Sequence, residues 1–344
     1  MKLVVITQRV DPGDPALGAT VAKLRALAAR VDELVVLALR VRDADLPPNV
    51  RVRAFDAPGP PLKAARLLTA LVPELRQRPV AVLAHMAPVY AVVAAAATRP
   101  LRIPLLLWFT HWRASRTLQL AERASTRVLS VNARSFPIRS GKLVETGHGI
   151  ELPAELPPAR PDDGMLRLLA LGRSSPAKGL TALLDAAALL GDLPVAVEIC
   201  GPSLTDEERD HRAALAARIG ADGLESRVRL SGPVDRPEVA RLYARSDVLV
   251  NNMRAGALDK VVYEAAAAGL PVLVASDGFA PLVDGLGASL RFAQDDAGEL
   301  ASRVRELYEL GTEGRAALGA RLRERVWSSH SVEHWADAVV AAAR

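Results

Sequence analysis

Short runs of β-forming residues alternate with alanine- and leucine-rich helical stretches along almost the whole sequence of 344 residues. This alternation is typical of βαβ units, in which parallel strands are joined by helices that cover the sheet. In the first half, the pattern predicts strands at residues 2–7, 33–40, 50–55, 80–84, 104–109, 127–131 and 142–145, and helices at 17–30, 62–78 and 90–97. In the second half, it predicts strands at residues 166–171, 195–200, 228–231, 248–251, 271–274 and 289–292. We therefore expect an α/β fold with doubly wound parallel sheets.

A polar, proline-rich segment, LPAELPPARPDDG, interrupts the alternation at residues 152–164. This composition is typical of a linker, and a chain of this length exceeds the size at which a single core keeps growing. We predict a Rossmann-like domain at residues 1–151, the linker at 152–164, a second Rossmann-like domain at 165–328 and a C-terminal helix at 329–344. The two domains are expected to face one another across a cleft. The helix is expected to pack back on the first domain, with Trp335 as a packing anchor.

A membrane-spanning segment is not expected, because no charge-free apolar run reaches the ~18–20 residues that a bilayer requires. The sequence opens directly on the predicted strand MKLVVIT, without the pattern of a signal peptide. The one cysteine, Cys200, can form no intrachain disulfide, which agrees with a reducing compartment. These features favour a cytoplasmic protein.

Positive charge is concentrated in the first half of the chain. Basic residues outnumber acidic ones by 22 to 10 in residues 1–150, whereas residues 151–344 carry 22 basic and 29 acidic side chains, so the halves carry +12 and −7. This asymmetry indicates an anionic partner, such as a membrane surface, a phosphorylated acceptor or a nucleic acid, unless the arginines only solvate the surface. A nucleic acid is disfavoured, since aromatic residues make up only 4% of the chain and no nucleic-acid-binding motif is present.

The segment LALGRSSPAKG at residues 169–179 places a basic pair beside the end of a predicted strand. Gly172 and Arg173 end the strand, and Lys178 lies where the next helix opens. Open α/β sheets bind ligands at such strand ends, where a helix N-terminus offers unpaired N–H groups and the positive end of its dipole. The pattern indicates a diphosphate site, and the alternative is a solvated basic surface.

Three further segments follow in order along the second half. VEICGP at 197–202 and VRLSGPV at 228–234 each end a predicted strand in Gly-Pro, which leaves the backbone open to a flat ring. The segment NNMRAGALDKVVYEAAAAGLPVLVAS at 251–276 combines a strand end, a glycine-bearing loop, a helix that carries Glu264, and a turn into the next strand.

Taken together, these segments resemble the retaining family-4 glycosyltransferases of the two-Rossmann (GT-B) fold. The resemblance extends over nearly the whole chain and includes VVITQRVDPGDPALG near the start and GHGIE at 147–151. It implies transfer of a hexosyl group from a nucleotide diphosphate sugar to an acceptor hydroxyl with retention of configuration, without a metal or another cofactor. The donor is expected on the second domain, as a UDP-sugar ahead of a GDP-sugar, and the acceptor on the first. The basic first half favours an anionic or membrane-associated acceptor, and hence a position at the inner face of the membrane.

The resemblance also implies roles for residues of the second domain. Arg173 and Lys178 correspond to the pair that holds the donor diphosphate and stabilises its charge as the glycosyl bond breaks, with Gly172 beside them. Glu264 corresponds to the second glutamate of the E-x7-E element, which contacts the ribose. The strand ends at Gly201 and Val234 correspond to base-binding positions.

One position departs from the family pattern. The first glutamate of E-x7-E would fall at Gly256. Asp259 either supplies a carboxylate instead, with Lys260 as a neighbouring charge, or only caps the helix. Backbone N–H groups of the loop that holds Gly256, Ala257 and Leu258 are expected to cradle the sugar or diphosphate. The departure leaves a second hypothesis open, namely a catalytically inactive nucleotide-sugar-binding homologue.

Histidines and a glycine mark the first domain. His111 follows the apolar run PLLLWFT and corresponds to the family histidine that contacts the donor sugar; the alternative is a histidine paired with a neighbouring carbonyl. Gly18 corresponds to the glycine of the first-strand loop, where backbone approaches the donor or acceptor closely. His85 and His148 also end strands, but the three histidines lack metal-ligand spacing and a companion acid, so no metal site is predicted.

Overall fold

The computed structural model describes residues 1–14, 17–111, 113–153 and 162–344. The chain divides into two compact units. The first unit comprises Met1–Glu151 together with Ser329–Arg344, and the second comprises Leu152–Ser328. Most of the predicted linker, residues 154–161, lies outside the described residues.

The first unit contains a parallel sheet of seven strands. In chain order the strands are β1 (Lys2–Val10), β2 (Glu33–Val41), β3 (Val50–Ala54), β4 (Ala81–His85), β5 (Leu105–Trp108), β6 (Arg127–Ser130) and β7 (Leu143–Glu145). They lie side by side in the order β3-β2-β1-β4-β5-β6-β7. The direction of this order reverses between β1 and β4, which is the topological switch point of a doubly wound sheet. The continuous apolar runs of β1, β2 and β4 are buried because helices cover both faces.

Among the residues that the structure describes, five helices belong to the first unit: α1 (Thr20–Ala28), α2 (Pro60–Leu75), α3 (Pro88–Thr98), α4 (Arg116–Ala124) and α12 (Val332–Ala343). On one face, α2, α3 and α4 enclose a core that includes Leu67, Leu71 and Leu118. The predicted helix at 17–30 begins three residues later than expected, at Thr20. The reason lies in the preceding turn, in which the Gly18 N–H donates to the Asp14 carbonyl at 2.9 Å.

The C-terminal helix α12 packs against α1 of the first unit, as predicted. Two backbone hydrogen bonds attach its start to the end of the N-terminal segment: the Ile150 N–H donates to the His330 carbonyl at 2.8 Å, and the Val332 N–H donates to the Ile150 carbonyl at 2.9 Å. The Arg30 side chain donates to Asp337, and Trp335 is fully buried. Burial of a tryptophan contributes several times the free energy of one exposed ion pair, so Trp335 is the main anchor of this helix.

A buried aromatic cluster lies beneath α12 and α1. His85 stacks on Trp108 with ring centroids 4.9 Å apart and meets the edge of Trp335 at 6.1 Å. The Lys23 ammonium lies 3.7 Å from the centroid of the Trp108 ring. The indole N–H of Trp108 donates to Thr146 Oγ1 at 2.9 Å. The packing therefore holds a buried imidazole close to a buried ammonium, which disfavours a second positive charge there.

The second unit contains a parallel sheet of five strands. In chain order these are β8 (Leu166–Leu171), β9 (Val195–Cys200), β10 (Val228–Ser231), β11 (Val248–Asn251) and β12 (Val272–Val274). Their order in the sheet is β10-β9-β8-β11-β12. The helices are α5 (Leu180–Leu189), α6 (Asp206–Ala221), α7 (Arg236–Ala244), α8 (Lys260–Ala267), α9 (Ala280–Val283), α10 (Ala297–Glu309) and α11 (Gly311–His330). The last two residues of α11, Ser329 and His330, belong to the first unit.

These two parallel sheets with alternating helices confirm the predicted fold class. One predicted strand is wrong, because residues 289–292 form only an isolated bridge between Arg291 and Val274. The neighbouring strand β12 is three residues long and ends at Val274, so it offers that segment a single pairing position. Across the described ranges, every helix is too short or too polar to cross a lipid bilayer.

Burial of His85 makes the stability of the first unit depend on pH. Burial lowers the pKa of His85 well below its ordinary value, and the nearby Lys23 lowers that pKa further. The unfolded chain binds a proton at this histidine below about pH 6.5, whereas the folded chain does not. The free energy of unfolding should therefore fall as the pH drops below about 6.5, by up to about 1.4 kcal/mol per pH unit from this residue.

Urea unfolding of the wild type and of His85→Leu between pH 8 and pH 5.5 measures this contribution. The wild type should lose stability on acidification more steeply than the variant. Burial also lowers the pKa of His330 to about 4, with His334 adding to the shift, so part of the slope should remain in both proteins. Equal slopes in the two proteins would contradict the assignment to His85.

Candidate functional site

The candidate site lies at the topological switch point of the second sheet. The central strand β8 has β9 on one side and β11 on the other. The loops that follow the carboxyl ends of β8 and β11 therefore leave the sheet in opposite directions. A narrow pocket opens at this point, and its lining includes Gly172, Arg173, Lys178, Asn251 and Asn252. Three of these five residues are the predicted diphosphate-binding group.

Lys178 occupies the end of a short 3₁₀ turn, Pro176–Lys178, that directly precedes α5. Its ammonium donates to Asp259 Oδ2, and the same carboxylate oxygen accepts from Asn251 Nδ2 at 3.0 Å. The lysine and aspartate side chains are only 15% and 19% exposed. Asp259 is the residue before α8, yet its carboxylate makes no capping hydrogen bond to that helix. The structure therefore pairs Asp259 with Lys178. It does not support the alternative prediction, in which Asp259 only caps α8.

Gly179 connects Lys178 to α5 in the left-handed conformation, with φ of 58°. A Cβ at this position would lie 2.2 Å from Asn252 Nδ2 and 2.6 Å from Asp295 Oδ1. Asn252 donates to the Gly179 carbonyl at 3.0 Å and to Asp295 Oδ1 at 2.8 Å. This network ties the N-terminus of α5 to the end of β11 and so fixes the direction in which the helix points.

Arg173 is held by a different carboxylate. Its Nη1 lies 3.0 Å from Oε1 of Glu208, which sits in the first turn of α6 and has a side chain only 5% exposed. The arginine side chain itself is 55% exposed. One edge of the guanidinium therefore contacts Glu208, while much of the side chain remains accessible to solvent.

Close backbone contact explains two of the predicted glycines. Gly172 and Gly201 have φ values of 137° and 147°, a region that side chains other than hydrogen rarely allow. A Cβ at Gly201 would lie 2.0 Å from the Gly172 carbonyl oxygen. The Gly172 N–H donates to the Cys200 carbonyl at 2.9 Å. These glycines let the ends of β8 and β9 run together beside the pocket. Val234, the other predicted base-binding position, is half-buried between β10 and α7.

The predicted loop at the start of α8 is compact. Gly256 has φ of 78°, a conformation that costs a glutamate about 1–2 kcal/mol and a glycine almost nothing. The buried Ala257 donates its N–H to the Arg254 carbonyl at 3.1 Å, and Leu258 packs against Gly278. The backbone geometry thus favours glycine at the position where the E-x7-E pattern has its first glutamate.

Lys260 and Glu264 lie one turn apart on α8, with Nζ 2.9 Å from Oε1. Their side chains are 22% and 19% exposed, so both reach the surface. The structure brings this pair into the same unit as Arg173, Lys178 and Asp259.

The other two predicted residues, Gly18 and His111, belong to the first unit. A Cβ at Gly18 would lie 2.7 Å from the Asp14 carbonyl oxygen and 2.8 Å from that of Pro12, so the turn itself requires glycine. His111 follows β5 and accepts a hydrogen bond at Nδ1 from the Arg113 N–H at 3.0 Å. Loss of hydration lowers the pKa of His111 below its ordinary value, and the charge of Arg113 lowers it further. The imidazole is therefore neutral at pH 7.

Sequence reasoning missed Glu208, Asn251, Asn252 and Asp295. The two asparagines carried a signal, because a polar Asn-Asn pair stands where the otherwise apolar strand β11 ends. Glu208 carried a weaker one, as the glutamate that ends a Thr-x-x-Glu helix start, T-D-E-E at 205–208. Among the described residues, no group of three or more histidine, cysteine, aspartate or glutamate side chains is arranged to hold a metal ion.

Comparisons with known proteins agree with this fold. Residues 166–310 match the family model described as "Glycosyl transferases group 1", a stretch that starts at β8 and contains the second-unit residues discussed above. The structure is similar to that of Anabaena HepE in complex with UDP, with a TM-score of 0.77, 21% sequence identity and coverage of 99% of each chain.

It is also similar to a sucrose-phosphate synthase from Thermosynechococcus elongatus, with a TM-score of 0.76, 18% identity and coverage of 99% of this chain and 98% of the other. A glycosyltransferase from Rickettsia africae gives a TM-score of 0.78 at 12% identity, with coverage of 99% and 97%. The protein has the two-Rossmann GT-B fold of glycosyltransferases. No curated protein matches the sequence.

The close approach of Gly172 and Gly201 generates a stability prediction. Gly201→Ala should destabilise the second unit by about 2–5 kcal/mol, because the new methyl group meets a backbone carbonyl in a strained conformation. Gly223→Ala is the matched control: Gly223 also has positive φ, of 67°, but nothing lies within 4 Å of its Cβ position. It should cost about 1–2 kcal/mol. Equal losses in chemical denaturation would show that the predicted steric overlap is absent.

Proposed function

We propose that the protein is a retaining, metal-independent glycosyltransferase that moves a hexosyl group from a nucleotide diphosphate sugar to an acceptor hydroxyl. The observation that carries the proposal is the placement of Arg173 and Lys178 at the switch point of the second sheet, beside the N-terminus of α5. Two cations and a helix N-terminus form a site suited to a diphosphate. The match of residues 166–310 to a glycosyltransferase family model supports the same activity.

In the proposed reaction, the bond between the anomeric carbon and the diphosphate oxygen breaks while the acceptor oxygen bonds to the same face of that carbon. The acceptor proton passes to the departing diphosphate oxygen, so the step needs no carboxylate base. Negative charge grows on the diphosphate as the bond breaks. Arg173 and Lys178 stabilise that charge, and their fixed positions avoid reorganisation during the reaction.

Asp259 takes part in this site through Lys178. In the absence of donor, its carboxylate neutralises the lysine and, with Asn251, fixes the direction of the ammonium. We propose that the donor diphosphate joins this pair and that Asp259 supplies the carboxylate absent at Gly256. The loop that holds Gly256, Ala257 and Leu258 would contact the sugar or diphosphate through backbone N–H groups other than that of Ala257, which donates to the Arg254 carbonyl.

We propose that Glu264 accepts hydrogen bonds from the ribose hydroxyls, with Lys260 beside it. The base would lie near the strand ends at Gly201 and Val234. In the first unit, His111 and Gly18 are the residues proposed to contact substrate, and a neutral His111 would act through hydrogen bonds.

UDP is the nucleotide we propose first, because the HepE structures contain UDP and UDP-glucose. The acceptor is proposed to be anionic or membrane-associated, since residues 1–150 carry a net charge of +12. Such an acceptor would place the protein at the inner face of the membrane.

A panel of UDP, GDP and ADP with their sugar conjugates tests donor binding by thermal shift. A ligand at about 100 times its dissociation constant should stabilise the fold by roughly 2.7 kcal/mol. Arg173→Ala and Lys178→Ala should lose most of the shift, and Glu264→Ala should lose the part that depends on the ribose. Arg241→Ala is the matched control, because Arg241 is exposed on α7 and pairs only one helical turn away with Glu238. No shift with any nucleotide would overturn the proposed donor.

Turnover is tested with a donor identified by that panel and a set of lipid and glycan acceptors. Activity should persist in excess EDTA, and proton NMR of the product should show the anomeric configuration of the donor sugar. Inverted product or loss of activity in EDTA would contradict this mechanism.

The second candidate is a nucleotide-sugar-binding protein without transferase activity, favoured by Gly256 and by the carboxylate already paired with Lys178. It predicts a thermal shift with the same ligands but no turnover. Detection of a glycosylated product at a rate that Lys178→Ala abolishes would exclude it.

A further inference from the structure

Glu208 is a buried carboxylate to which the proposed reaction assigns no role. The residue is 4% exposed and lies in the first turn of α6. A carboxylate this buried needs partners for both oxygens, because burial without them is costly. Its Oε2 accepts from the Leu204 N–H at 2.7 Å, and its Oε1 lies 3.0 Å from Arg173 Nη1.

The backbone around Arg173 is held on both sides. The Gly172 N–H donates to the Cys200 carbonyl at 2.9 Å, and the Ser174 N–H donates to the Pro202 carbonyl at 3.0 Å. With the main chain fixed in this way, the freedom that remains to Arg173 is rotation of its long side chain. The ion pair with Glu208 removes much of that rotation before a ligand arrives.

We propose that Glu208 is a positioning residue that orients Arg173 toward the donor diphosphate. The inference rests on the proposed function, since it assigns Arg173 to an anion. A guanidinium has five N–H donors in a rigid plane, so one edge can be held by the carboxylate while the others face the diphosphate. Preorganisation of this kind improves affinity by lowering the entropy lost on binding.

A purely structural role for Glu208 makes a different prediction. The Glu208 side chain also helps to close the start of α6 by accepting from the Leu204 N–H, and the backbone N–H of Glu208 donates to Thr205 Oγ1 at 3.2 Å. Thr205→Ala weakens the same helix start but leaves the carboxylate and Arg173 in place, so it is the matched control for loss of the cap.

An electrostatic effect alone predicts the opposite change in affinity for UDP. Glu208→Gln removes a negative charge from beside an anion site, so a simple charge effect would tighten binding of a diphosphate. Orientation of Arg173 by the carboxylate predicts weaker binding. The sign of the change therefore separates the two explanations.

Calorimetric titration with UDP and with uridine tests the proposal. The proteins are the full-length wild type, Glu208→Gln, Arg173→Ala, the double variant and Thr205→Ala. Glu208→Gln should weaken UDP binding by about 10-fold, the lower end of what removing an orienting partner costs at metal sites. Uridine lacks the diphosphate, so its affinity should stay within about 2-fold. In the Arg173→Ala background, Glu208→Gln should cause no further loss, because the two residues act as one unit.

Equal or tighter UDP binding by Glu208→Gln overturns the inference while leaving the proposed function intact. So does an equal loss for UDP and uridine, a loss that persists in the Arg173→Ala background, or the same loss in Thr205→Ala. If wild-type protein binds no UDP, and neither GDP nor ADP, the proposed function fails and the inference falls with it.

Discussion

The candidate site depends on the close passage of two strand ends. Gly172 after β8 and Gly201 after β9 run so near one another that a methyl group on the second would overlap the carbonyl of the first. This contact brings Arg173 over α6, where Glu208 lies, and leaves the carboxyl end of β8 open toward β11. Parallel pairing alone would place the strand ends at one edge of the sheet, but it would not bring the loops into contact.

Both cations of the site are held by carboxylates from other elements. Lys178, ahead of α5, pairs with Asp259 at the start of α8, and Arg173 pairs with Glu208 at the start of α6. The ion pairs therefore restrict the movement of both cations. Fixed charges lose little entropy when an anion binds, whereas each carboxylate also offsets part of the positive potential. The balance between these two effects would decide how tightly the site holds the proposed diphosphate.

The first unit buries two titratable side chains in its interior. His85 and Lys23 lie within a cluster of tryptophans at the end of the sheet, where α12 closes over them. A cation over an indole ring and a stacked neutral imidazole are compatible with burial, whereas an imidazolium in that position is not. The cluster links α12 to the central strands, so the last residues of the chain belong to the core of the first unit.

Much of the fold and part of the candidate site could be predicted from the sequence. The mainly apolar runs predicted β8, β9, β10 and β11 with the bounds that the structure shows, because each run is short and is ended by a polar or glycine residue. The basic pair at Arg173 and Lys178 could also be predicted, because both residues lie between the end of β8 and the start of α5.

Only the tertiary structure showed what those residues touch. Glu208, Asp259 and Asp295 are distant in sequence from their partners Arg173, Lys178 and Asn252, and no periodicity relates them. The short segment at 289–292 has the composition of a strand but lacks a partner long enough to form one. Local propensity and patterning act over a few residues and determined the elements, whereas pairing of buried charges and strands depends on which elements meet, and that is decided by packing of the whole chain.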